Sequence, residues 1–197
     1  MSCHLERPLD DEAWRRSLAF ARARPGGFPV LWLVRAPHAG EDEELWLARA
    51  RELGGLGAFG HHTHWTSPTH ARPTGGSDPA ARVREEAAWL REHGLHATHF
   101  CGGAWYTDAD VERTVAELGY VDCTPRGGEP GDGKLPTTHT IGALARAVVM
   151  PRLPRYVHAY FHDYDLLDPR RRVTLVASLK LLCARAARPL DLSVSSR

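Results

Sequence analysis

The chain has 197 residues, with 25 Lys and Arg against 24 Asp and Glu and a formal net charge of +1. That length allows one sizeable core and is short for two, so residues 1–197 are read as a single domain. Bases scattered among acids, as in ARVREEAAWLREHG, argue against a nucleic-acid footprint or an acidic-lipid surface and leave small molecules or glycans as expected partners.

The opening MSCHLERPLDDEAW lacks the apolar centre of a signal peptide, and no window approaches the apolar length that crosses a bilayer. A cytoplasmic protein without a membrane anchor is expected. Lys occurs only at 134 and 180, an Arg bias of the kind a GC-rich bacterial genome produces. Cys3, Cys101, Cys123 and Cys183 form no Cys-x-x-Cys pair, so free thiols are expected rather than a zinc knuckle or a disulfide framework.

In chain order, DDEAWRRSLAFARARPGG (10–27) carries helical spacing after acidic starter residues and stops at Pro-Gly-Gly. FPVLWLVRAP (28–37) is continuously apolar, as a strand buried on both faces is. EDEELWLARARELGG (41–55) reads as a second helix, and LGAFGHH (56–62) as a third strand if SCHL is the first. SDPAARVREEAAWLREHG (77–94) offers Asp78 as N-cap, Pro79 in the first turn and Gly94 as terminator. HATHFCGG (96–103), TDADVERTVAELG (107–119) and YVDCT (120–124) then give strand, helix, strand, and PRGGEPGDGK (125–134) can only be loop. LPTTHT (135–140) is a sixth strand before the helical IGALARAVV (141–149), and RYVHAYFH (155–162) a seventh. A long helix follows at 168–187, and PLDLS (189–193) could add a short strand.

This alternation without repeats predicts an α/β domain of parallel strands wrapped by helices, either a (β/α) barrel or an open doubly wound sheet. No Gly-x-Gly-x-x-Gly fingerprint follows the first strand, which disfavours a dinucleotide site. In a barrel the active site lies at the carboxyl ends of the strands. There stand His62 and His64 after the third strand, Cys101 to Trp105 after the fourth, His139 after the sixth and His162 after the seventh.

Each of these residues has a functional and a bland reading. His62 and His64 share a face by strand alternation, and two imidazoles with a carboxylate from another strand are a ligand set for a divalent ion; a His-rich polar loop is as common. His162, at the rim, could transfer a proton near neutral pH or merely cap a turn. In FCGGAWY (100–106), Trp105 and Tyr106 could stack on a sugar, or the segment could be a tight turn with Trp105 over the core. Cys101 has no evident base beside it, which disfavours a nucleophile, and near His139 Thr138 or Thr140 could simply cap a helix.

With these residues placed, the chain resembles the polysaccharide deacetylases, metal-dependent carbohydrate esterases that share the nodulation-type deacetylase homology domain. FGHHTHWTSP (59–68) is similar to the family's His-Ser/Thr-x-x-His metal motif, matching at His62 and Thr63, with Thr66 at the second histidine and His64 or His70 as substitutes. FCGGAWY resembles the Arg-x-Pro-aromatic motif, with Cys101 at the arginine and Gly103 at the proline. YFHDYDLLD (160–168) resembles the last motif, which places the general acid at His162. The family's Asp-Asp pair is not recognisable, and Glu6 is the nearest carboxylate, ahead of Asp10 and Asp11.

The resemblance implies a distorted (β/α) barrel of about seven strands. It implies a divalent ion, expected to be zinc, held by His62, His64 and Glu6, with Glu6 and His162 as catalytic groups. The substrate, a carbohydrate losing an acetyl group, would be lined by Cys101, Gly103, Trp105, Tyr106 and His139, with a backbone N–H at Gly102 or Gly103 facing the oxyanion. A non-catalytic relative that binds glycan through Trp65, Trp105 and Tyr106 is the second reading. The third is a metal hydrolase of the amidohydrolase type, although that class expects its His-x-His on the first strand.

Overall fold

Capping Asp residues at five of the six helix starts, with Thr140 at the other, divide this chain into strand and helix. The computed structural model describes residues 1–190 and 192. Strands β1 (Ser2–Leu5), β2 (Leu31–Val34), β3 (Ala58–Thr63), β4 (His99–Gly102), β5 (Val121–Asp122) and β6 (Tyr160–His162) alternate with six helices. These are α1 (Asp11–Ala23), α2 (Glu43–Gly54), α3 (Pro79–Glu92), α4 (Ala109–Glu117), α5 (Ile141–Ala147) and α6 (Pro169–Ala184). Asp10, Asp42, Asp78, Asp108, Thr140 and Asp168 each accept hydrogen bonds from first-turn N–H groups that the helix itself cannot satisfy. No helix among the described residues is long and apolar enough to cross a membrane.

The six strands form one parallel sheet in the order β5-β4-β3-β2-β1-β6. The ladder does not close on itself, and LPTTHT, expected as the sixth strand, is not a strand. Pro136 has no N–H to donate, which interrupts a ladder at that point. Instead residues 134–139 cross from one sheet edge to the other through isolated parallel bridges, Asp122 to Lys134 and His139 to Ala159. The expected strand at 189–193 is also absent over Pro189, Leu190 and Leu192, which have no regular structure, while 191 and 193 lie outside the described residues.

Side-chain alternation sorts the apolar residues into two layers. Cys3, Leu5, Trp32, Val34 and Phe161 face outward and join Trp14, Phe20, Trp46, Leu90 and Leu175 beneath the helices. Leu31, Leu33, Cys101, Cys123 and Leu135 face inward and fill the lower part of the enclosed space. Gly60 makes room there, since a Cβ at that position would stand 2.7 Å from Leu33 Cδ2 and 3.0 Å from the His99 carbonyl oxygen.

Where β2 ends, Arg35 is 2% exposed and ties two strand exits together. Its Nε donates to the Glu6 carbonyl at 3.2 Å, and its two terminal nitrogens fork onto Glu41 at 2.6 and 2.5 Å. Removing the guanidinium leaves a carboxylate and a carbonyl without their donor. Arg35→Ala is therefore expected to lower unfolding free energy by about 3 kcal/mol, measured by denaturant titration; a change within experimental error would show that the fork is not structural.

Candidate functional site

The parallel register sets His4 beside His162 on the neighbouring strand, and His62 beside Cys101. Since Cys3 and Leu5 face the helices, His4 faces inward, and Glu6 emerges above it at the strand exit. On β3, His61 faces outward, with Nε2 2.7 Å from Glu86 of α3 and 2.9 Å from Thr63 Oγ1, and Arg82 covers the same Glu86. His62 faces inward, as strand alternation requires.

The inward imidazoles form one cluster. Ring centroids lie 4.6 Å apart for His4 and His62, 5.0 Å for His62 and His64, and 5.2 Å for His4 and His162. Ligand atoms of Glu6, His62 and His64 all lie within 4.8 Å of one another.

Hydrogen bonds fix the tautomers. His62 Nδ1 is 2.7 Å from the Cys101 carbonyl oxygen, and His64 Nδ1 is 3.0 Å from that of Pro68. A carbonyl only accepts, so each ring carries its proton on Nδ1 and presents an Nε2 lone pair. His64 Nε2 is buried without a hydrogen-bond partner and stands 3.6 Å from Glu6 Oε1. Two acceptors thus confront each other across a gap that a cation would bridge.

Burial holds His62 down to about 3, with the nearby His64 imidazole adding to the effect, and His4 well below the ordinary histidine value for the same reasons. Both rings are neutral at physiological pH, the form that binds metals. Burial pushes the Glu6 carboxyl up, but the imidazoles of His64, His162 and His62 outweigh it and keep it below its usual range.

His162 Nε2 lies 3.5 Å from Glu6 Oε1, while its Nδ1 lies 3.4 Å from Asp165. Asp165 also accepts from the His162 backbone N–H at 2.8 Å and is paired with Arg171. The ring stacks on Tyr164 at 4.8 Å with an 8° interplanar angle. Orientation is thereby set on three sides, and Nε2 is left toward the pocket. A cleft lined by Thr140, Tyr160, Tyr164 and Arg171 opens beside it.

Trp105 forms a second wall, 4.8 Å from Tyr160 and 5.4 Å from His4, with the Arg126 guanidinium over its outer face. It and Ala104 both adopt positive φ, 60° and 50°, a conformation that turns the indole back over the cluster. Gly103 permits that turn, because a Cβ there would come within 2.8 Å of the Ala71 carbonyl oxygen.

The other expected residues stand elsewhere. Cys101 is wholly buried among the inward apolar residues. Tyr106 packs on Trp65 at 5.4 Å on the helix side of β4 and donates to Asp108. Trp65 is itself buried, its indole N–H donating to the Gly103 carbonyl at 3.2 Å, so it offers no open stacking face. His139 bonds Thr138 and bridges to Ala159 beside Thr140 of the cleft. The Gly102 N–H already donates to Thr124 Oγ1 at 2.9 Å and so is not free to face an oxyanion. Of the two substitutes for the second motif histidine, His64 enters the cluster and His70 is exposed in a turn with Ser67. His4 escaped notice in the sequence, although its separation from Glu6 by two residues on a strand was the available signal. An apolar groove lined by Phe28, Tyr156 and Leu182 lies apart and shares none of the cluster's residues.

No protein-family model matches the chain, and no curated protein matches it. Among solved structures it is similar to a family 4 carbohydrate esterase from Streptomyces lividans in complex with acetate, with a TM-score of 0.61. That likeness covers 98% of this chain and 91% of the other at 15% sequence identity. The shared property is the fold, a parallel sheet of barrel-like curvature ringed by helices, over nearly the full length of both.

Burying neutral imidazoles has a consequence for stability. His62 and His158 are held down by burial to about 3 and His99 to about 4, while His4 is also far below its ordinary value. The unfolded chain takes up these protons below about pH 6.5 and the folded chain only at lower pH, near 3 for His62 and His158 and near 4 for His99, so stability falls as pH drops through that window. Asp163, raised by burial to about 6, acts in the opposite direction between about 6 and 3.8. Four imidazoles outweigh one carboxyl, each contributing up to about 1.4 kcal/mol per pH unit. Urea midpoints measured from pH 7 to pH 4 should fall steadily; a flat or rising series would contradict the neutral cluster.

Proposed function

We propose that this chain is a metal-dependent hydrolase that removes acetyl groups from a carbohydrate, with Glu6, His62 and His64 as metal ligands and His162 as proton donor. The observation that carries this reading is the confrontation of the His64 Nε2 lone pair and the Glu6 carboxylate, beside a His62 whose Nε2 is also free. The donor set is one that zinc or a similar divalent ion takes, two imidazoles and a carboxylate with room for a further ligand. Such an ion supplies Lewis acidity toward an acyl oxygen and toward water.

The chain's own residues supply the rest. Glu6, ionised at the rim, both holds the ion and accepts a proton from the attacking water. Asp165 fixes the His162 ring with Nδ1 toward itself, so Nε2, 3.5 Å from Glu6, is the atom through which a proton passes to the leaving amine or alkoxide. Trp105 and Tyr160 offer an aromatic wall against which an apolar sugar face can lie. The fold shared with the carbohydrate esterase supports the reading, as does the position of Glu6, His62, His64, Trp105 and His162 at the carboxyl ends of the strands.

A non-catalytic glycan-binding protein is the competing reading, favoured by one fact: Glu6 is the one carboxylate in the Glu6, His62, His64 group, so ligand and base must be the same residue.

Acetate release from N- and O-acetylated oligosaccharides separates the two. With zinc or cobalt supplied, the wild type should turn over, and His162→Ala should lose roughly 10²- to 10⁴-fold in kcat with its circular dichroism unchanged. Wild-type binding of oligosaccharide without acetate release favours the competing reading, and equal rates for wild type and His162→Ala remove His162 from the reaction. Glu6→Gln should lower zinc affinity by at least about tenfold, read by competition with a chromophoric chelator; unchanged affinity removes Glu6 from the ligand set.

A further inference from the structure

His62 belongs to a second group of donors. Ligand atoms of His4, His62 and Cys101 also lie within 4.8 Å of one another, and all three residues are buried, at 3%, 2% and 0% exposure. His4 Nε2 is enclosed without a hydrogen-bond partner, whereas buried polar atoms are ordinarily satisfied. The Cys101 thiol makes one weak contact, 3.8 Å from the Gly102 carbonyl oxygen. These residues lie one layer below Glu6, on the boundary between the imidazole cluster and the apolar residues Leu31, Leu33 and Cys123.

We propose that His4, His62 and Cys101 form a three-coordinate site for one soft monovalent cation, copper(I), which shares His62 with the Glu6, His62 and His64 set and so cannot be filled together with it.

Two arguments select the ion. Thiolate with imidazole is a soft donor set, suited to copper(I), whereas a set containing carboxylate favours harder divalent ions. Charge decides the matter further. The site is cut off from water, where an uncompensated charge is expensive. One thiolate neutralises one monovalent cation, and a divalent ion would leave a net positive charge among Leu31, Leu33 and Cys123. Glu6, by contrast, is at the partly open rim, where solvent can moderate a divalent charge.

Binding is balanced by proton loss. The Cys101 S–H bond breaks as the sulfur–copper bond forms, the proton leaves to solvent, and the two neutral imidazoles add no charge. One proton is released per ion, no electron is transferred, and copper enters already reduced. Because a proton is released on binding, affinity should rise with pH.

The test is anaerobic titration of the full chain, freed of metal, with copper(I) in competition with a chromophoric copper(I) chelator. Wild type should take one ion; Cys101→Ser should bind more than about a hundredfold more weakly, beyond the loss an outer partner causes. Glu6→Gln should bind copper(I) as wild type does, and copper-loaded wild type should no longer take cobalt(II). Because Cys183 is exposed, Cys183→Ser is the control and should bind as wild type. X-ray absorption of the loaded wild type, independent of any variant's folding, should show one sulfur and two nitrogen neighbours. Undiminished binding in Cys101→Ser, loss in Cys183→Ser, simultaneous binding of both ions, or a shell without sulfur would each overturn the site. Glu6→Gln that keeps its zinc affinity would instead count against the hydrolase reading and leave the copper site standing.

Discussion

Every strand of this sheet runs in the same direction, and that fact governs all that happens at its carboxyl edge. Parallel register leaves no choice about which residues emerge together: His4 lies opposite His162, and His62 opposite Cys101. Period-two alternation then decides which of them face inward. A slip of one residue in β3 would send His62 to the helices and bring His61 inside, exchanging a pocket imidazole for the partner of Glu86. Phe59, the outward apolar residue of β3, resists that slip because it would be transferred out of the layer beneath the helices.

The cluster is expensive to maintain. Several imidazoles are kept neutral by burial, and His4 and His64 each present an unpaired nitrogen, costing about 1–3 kcal/mol apiece. An apolar filling would be more stable, and the lower part of the same space is filled in that way by Leu31, Leu33 and Leu135. His158 and His99, buried at the other end, have hydrogen-bond partners; the unpaired nitrogens of His4 and His64 stand at the carboxyl edge, where function is expected to override stability. Second-layer contacts point the same way: carbonyls of Cys101 and Pro68 set the His62 and His64 tautomers, Arg35 holds the Glu6 backbone, and Asp165 aims His162.

Much of this arrangement could be read in the chain. Helix starts were legible because Asp followed by Pro or an acidic turn satisfies N–H groups in a local, sequence-visible manner. The parallel α/β class followed from alternation, and the inward placement of His62 and His64 from strand period. The missed features are those decided by packing. Pro136 turned an expected strand into a crossing made of isolated bridges. Tyr106 and Trp65 looked like open aromatic platforms, yet each covers the other on the helix side of β4. His4 lay in an apolar strand with no motif around it, and its importance depends on His162 and His62, distant in sequence, the first met by strand pairing and the second across β2 where the sheet curves.

Anomalous diffraction from crystals soaked in zinc, recorded at the zinc edge, tests the central claim most directly. This account predicts a peak within bonding distance of Glu6, His62 and His64, on the inner face of the sheet and beside His162 Nε2. Zinc bound only elsewhere, or no peak in crystals whose other surface sites are filled, would contradict it.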